Sequence, residues 1–125
     1  MAGKIKIMAG SVTLLAELND SPTGVAIQSV LPLEATARTW GDEIYFPIPV
    51  ERELEHEAAE VVEVGDLGYW PSGRAFCIFF GPTPASRGDE IRPASAVNLI
   101  GKVVGDAREF KAVGEGELVR IENVS

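Results

Sequence analysis

Six consecutive apolar residues, Ala75-Phe76-Cys77-Ile78-Phe79-Phe80, run up to Gly81. A strand sends successive side chains to opposite faces, so a strand made of this run must be covered on both. The run belongs to GDLGYWPSGRAFCIFFG (residues 65–81), which holds five of the nine aromatic residues and the only cysteine and leads directly into PTPAS. That density points to close packing or to contact with a ligand. A lone cysteine forms no internal disulfide, and Cys77 between Phe76 and Ile78 reads as a small buried hydrophobe.

The flanking segments are short and alternating, with turn residues between them, which is the pattern of an all-β sandwich or barrel. Lys4–Met8 alternates lysine and isoleucine. After the Ala9-Gly10 turn, Val12, Leu14, Ala16 and Leu18 share one face, giving a hairpin. Leu33–Trp40 sets Leu33, Ala35 and Ala37 against Glu34, Thr36, Arg38 and Trp40. A Gly41-Asp42 turn leads into Glu43–Val50, with Ile44, Phe46, Ile48 and Val50 on one face and Glu43 and Tyr45 on the other. Pro47 and Pro49 donate no ladder hydrogen bond, so this strand is an edge or ends early. Ala96–Val104 and Glu117–Glu122 complete the set.

One short helix is punctuated by Asp20 or Ser21 as its cap, Pro22 in its first turn, an Ile27, Val30, Leu31 stripe and a stop at Pro32. A second candidate helix spans Glu51–Val62, with Leu54, Ala58, Val61 and Val62 at helical spacing. The 125 residues predict a single domain, 1–125, able to bury one core.

The formal charge of −8, with four lysines and seven arginines scattered singly, argues against a nucleic-acid partner. Seven of the 19 acids crowd into Glu51–Asp66, where the one opposing charge is Arg52, and read as a solvated stretch. No apolar run approaches the length of a membrane span, and the start of the chain lacks the apolar core of a signal peptide. No membrane partner and a cytoplasmic location are the expectations. The single histidine, His56, lies in the polar string ELEHEAAE, and no spacing typical of calcium, zinc or phosphate sites occurs, so neither metal nor cofactor is expected.

Gly10–Thr23, a strand and acidic turn leading to a Pro-x-Thr-type helix start, resembles the opening of cyclophilins. TWGDEIYFPIPV (39–50), VVEVGDLGYWPSGRAFCIFFGPTPAS (61–86) and IRPASAVNLIGKV (91–103) are similar to small bacterial and archaeal cyclophilin-like proteins of uncharacterised function. The resemblance covers nearly the whole chain. It implies a closed, mostly antiparallel eight-stranded barrel with one helix covering an end. The catalytic strings of the isomerase cyclophilins, Phe-His-Arg and Phe-Met-x-Gln-Gly-Gly-Asp, do not occur here, and Trp70–Ala75 has alanine where their tryptophan segment has histidine. Prolyl isomerase activity is thus implied by the fold and not by the motifs.

Isomerisation makes no bond; it asks for an apolar pocket and a donor aimed at the twisted amide. Phe46, Tyr69, Trp70, Phe76, Phe79 and Phe80 are candidate walls, each with core as its alternative reading. Arg38, Trp40 and Tyr45 are candidate donors, with Arg38 as the catalytic candidate. In the GPTPAS loop Pro82 and Pro84 restrict the chain, and Thr83 and Ser86 either face a ligand or cap turns. Glu43 beside Tyr45 and Trp40 suits a cationic or hydroxylated ligand, or pairs with Arg92 or Arg38; Glu90, Arg92 and Ser95 form a second polar group. The first reading is a groove around Trp40–Phe46 and Tyr69–Ser86 that binds a peptide segment or small molecule. An atypical isomerase and a homodimer that covers the aromatic patch are the alternatives.

Overall fold

The structure is a computed structural model that describes residues 3–124. Met1, Ala2 and Ser125, at the ends of the expected domain, lie outside the described residues. The isoleucine alternation becomes β1 (Gly3–Ala9), with Ile5, Ile7 and Ala9 buried, and a turn at Gly10 returns the chain as β2 (Val12–Leu18). Gly10 has φ of +56°, a conformation that glycine adopts without strain. Helix α1 (Pro22–Gln28) is capped by Ser21, whose Oγ accepts from the Gly24 amide at 3.1 Å. It ends before Val30 and Leu31, which still pack against the core.

The remaining strands are β3 (Leu33–Thr36), β4 (Arg38–Thr39), β5 (Glu43–Pro47), β6 (Asp66–Trp70), β7 (Ala75–Phe79), β8 (Asn98–Val104) and β9 (Leu118–Asn123). All pairings are antiparallel, in the order β3-β9-β1-β2-β8-β6-β7-β5-β4. The two end strands, β3 and β4, are separated in sequence by Ala37 alone. One bent stretch therefore pairs with β9 through its first half and with β5 through its second, which brings the sheet to a nearly closed barrel. Counted as one strand, that stretch makes the nine strands the expected eight. As its prolines require, β5 stops at Pro47.

The inner faces supply the main core, including Ile5, Leu18, Ile44, Leu67, Ile78, Ile100 and Ile121. Phe46 and Phe76 stack within it, with ring centroids 5.4 Å apart. The outer face of β7 is covered too: Ala75, Cys77 and Phe79 pack with Val62, Ile91 and Val97 in a second apolar cluster. The double covering demanded by the AFCIFF run is thus met, by the barrel interior on one side and by the segments near 62 and 91–97 on the other.

Two segments stand apart from the sequence reading, one a candidate helix and one not marked as a strand. Glu51–Val62 is not a helix; it runs as an irregular strap with a turn near His56 and single bridges from Ala59 to Val97 and from Val62 to Ile91. Its backbone groups are taken by the barrel instead. Asn98, 1% exposed, accepts from the Glu55 amide at 2.7 Å and donates to the Glu53 carbonyl at 3.0 Å, while Tyr69 Oη donates to the Val50 carbonyl at 2.6 Å. β6 was not among the alternating segments, and it forms the bridge between β7 and β8.

Candidate functional site

The outer faces of β5 and β6, together with two connecting segments, build the candidate site. β5 presents Glu43 and Tyr45, and β6 presents Trp70. Trp40 comes from the turn before β5, where its amide donates to the Glu43 carbonyl at 3.0 Å. Pro93, Ala94 and Val97 from the segment ahead of β8 complete the wall. Together these seven residues enclose a cavity of about 180 Å³ on the outside of the barrel.

Close packing holds the walls in place. A Cβ on Gly73 would lie 2.8 Å from Trp70 Cε3 and Cζ3, so the missing side chain makes room for the indole. On its other side the indole Nε1 donates to Ser95 Oγ at 2.6 Å. Gly68 similarly admits Val97, since a Cβ there would come within 2.9 Å of Val97 Cγ2. The turn carrying Trp40 is held by the Asp42 amide donating to the Pro82 carbonyl at 2.9 Å.

Glu43 is the one charged residue in the wall, and it is 5% exposed. Burial pushes its carboxyl up to about 7, partly offset by a hydrogen bond from the Cys77 thiol. The same neighbourhood raises the thiol well above its usual range, through burial first and then the Glu43 charge. Among the described residues no lysine or arginine forms an ion pair with Glu43. Arg92 instead pairs with Glu90 at 3.0 Å, and Arg38 lies near Glu115, whose carboxylate it helps hold below the ordinary range after the hydrogen bonds from Thr39. The site is therefore an aromatic pocket with one buried acid that changes charge near neutrality.

A sequence model described as cyclophilin-like matches residues 3–122. The chain belongs to the cyclophilin-like family. It is 44% identical to the hypothetical protein AF2241 from Archaeoglobus fulgidus, over 98% of this chain and 95% of that one, and the solution structure of that protein matches with a TM-score of 0.84. No curated protein matches the chain.

Within this cyclophilin-like barrel the residues singled out from the sequence separate into three groups. Trp40, Glu43, Tyr45 and Trp70 line the cavity, and Ser95 fixes one of its walls. Phe46 and Tyr69 belong to the main core, and Phe79 to the second cluster; all three are fully buried and none lines the cavity. The polar loop residues serve the loop. Thr83 Oγ1 donates to the Arg92 carbonyl, and Ser86 Oγ accepts from the amides of Thr83 at 2.9 Å and Arg92 at 3.1 Å, which shapes the path from β7 towards residues 91–97. Pro84 is exposed in that loop, and Arg38 is exposed on β4 opposite Tyr45, outside the cavity lining. Pro93, Ala94 and Val97 were missed. They carry no chemistry of their own, and the one signal for them was the neighbouring Arg92 and Ser95.

Among the described residues no group of three or more His, Cys, Asp or Glu side chains could hold a metal ion. No helix there is long and apolar enough to cross a membrane.

Proposed function

We propose that this cyclophilin-like barrel is a binding module that takes one small group, presented by a peptide segment or a small molecule, into the pocket between Trp40, Tyr45 and Trp70. The observation that carries the reading is the placement of Glu43. A carboxyl in an apolar wall without a basic partner costs stability, and a barrel stabilised by two apolar clusters gains nothing from it as a fold. Such perturbed acids concentrate where ligands bind. The cavity is preformed, concave and largely apolar with one acidic group, which is the usual composition of a small-molecule site.

Two-dimensional amide NMR with a panel of X-Pro peptides tests this. The expected result is saturable shifts confined to residues around Trp40, Trp70 and Val97, lost in Trp40→Ala, with cis/trans exchange at its uncatalysed rate. Peptides in excess that shift no resonance of the pocket overturn peptide recognition within that panel. Exchange accelerated by catalytic amounts of protein would favour the isomerase reading, in which Arg38→Ala should abolish turnover and spare binding. The third reading, a dimer that covers the aromatic patch, requires a mass by light scattering that rises with concentration.

A further inference from the structure

Resting on that pocket reading, we infer that the group the pocket takes is an N-methylated ammonium on a short apolar stem, held against Trp40, Tyr45 and Trp70 with Glu43 as its counter-ion. Three features converge on this chemistry. The first is sign: the one side chain of the wall that ionises near neutrality is an acid, and among the described residues it has no basic partner, so once it is ionised it repels an anion, while a cation supplies the missing charge. The chain's net charge of −8 acts in the same direction at longer range.

The second is the aromatic content. Three of the seven lining residues are Trp or Tyr, the side chains whose ring faces attract cations most strongly. A quaternary ammonium is large, weakly hydrated and apolar on its outside, so it gains from both the rings and the burial.

The third is the count of hydrogen-bonding groups. A primary ammonium brings three N–H donors that all need acceptors. Pro93, Ala94 and Val97 offer no side-chain acceptor and Trp70 Nε1 is a donor already committed to Ser95, so the side-chain acceptors of the lining are the Glu43 carboxylate and the Tyr45 hydroxyl alone. Methyl groups in place of those hydrogens remove the demand. Size is compatible: 180 Å³ corresponds to about six water-sized volumes, room for a trimethylammonium head. Near neutrality the cation also favours release of the Glu43 proton, so binding and ionisation reinforce each other.

The test compares choline with 3,3-dimethyl-1-butanol, its uncharged isostere, by amide and indole NMR titration at about pH 8, where Glu43 is mostly ionised. Choline is expected to bind at least about tenfold more tightly than the isostere, within the range of desolvated cation–π contacts. Glu43→Gln should weaken choline by about tenfold or more and leave the isostere within about twofold, as loss of a close charge partner implies. Equal binding of the two probes overturns the cation inference and leaves the pocket reading standing. If neither probe shifts the pocket resonances, the cation inference also falls, and the peptide titration alone then decides the pocket reading. Tighter binding of n-butylammonium than of choline overturns the preference for the methylated head.

Discussion

Trp70 and Ser95 are joined by a 2.6 Å hydrogen bond from the indole Nε1 to the hydroxyl, 25 positions apart in sequence. The bond ties the end of β6 to the segment that supplies Pro93, Ala94 and Val97, so one wall of the pocket is fixed to the other. Ser95→Ala should cost only about 0.5–1 kcal/mol of stability, because the bond is exposed to solvent. Its larger effect should be on ligand affinity, through an indole freed to turn. Unchanged affinity in this variant would show that Gly73 packing alone orients the ring.

Glu43 makes stability depend on pH in an unusual direction for an acid. Its folded value of about 7 lies above the 4.5 of a solvated glutamate, so between those values the native state holds a proton that the unfolded chain has released. Stability from this group therefore falls as pH rises through that window, by about 3 kcal/mol in total. Glu43→Gln should be more stable than the parent at about pH 8, with a difference that shrinks towards pH 4.5. Urea denaturation at both ends of the window checks it; an equal difference at the two pH values refutes the assignment.

Asn98 ties the acidic strap to the barrel through the Glu55 amide, the Glu53 carbonyl and, at 3.1 Å, Thr23 Oγ1. Asn98→Ala leaves the Glu55 amide and the Glu53 carbonyl without this partner in a part-buried setting, while Thr23 Oγ1 keeps its bond to the Glu55 carboxylate, and should cost about 1–3 kcal/mol. Hydrogen exchange should rise first at residues 53–57, before the barrel strands. Uniform loss of protection across the molecule would mean that the strap is part of the global folding unit.

Gly68 is where the outer face of β6 meets Val97. A Cβ there would come within 2.9 Å of Val97 Cγ2 and 3.2 Å of Phe79 Cε2, and Phe79 is packed too tightly to give. Gly68→Ala should cost about 1–3 kcal/mol by overpacking and push Val97 towards the cavity. Ligand affinity and melting temperature should therefore fall together, whereas Ser95→Ala mainly lowers the first.

Much of the barrel was legible because its alternation is local. Ile5 and Ile7, or Ile44, Phe46, Ile48 and Val50, announce a buried face within a few residues, and all of them are buried. β6 escaped notice because Asp-Leu-Gly-Tyr-Trp has a glycine where an outward side chain would mark the period, and that glycine exists to admit Val97 from 29 positions away. The strap failed in the opposite way. Its helical spacing was real, yet Leu54 and Val61 are 54% and 45% exposed, since long-range bonds from Asn98 and Tyr69 hold the backbone extended. Half of the pocket was readable from the aromatic and acidic residues around the β5 turn. The other half is made of Pro, Ala and Val, which mark a site only through the fold that brings them there.

The bend at Ala37 also decides how much open edge the sheet presents. Because the two terminal strands of the sheet are halves of one continuous stretch, the unpaired backbone of the described ladder is confined to short segments, β3 on its side away from β9 and the part of β5 beyond its two β4 pairs. Short edges of this kind offer little template for strand-by-strand growth into aggregates.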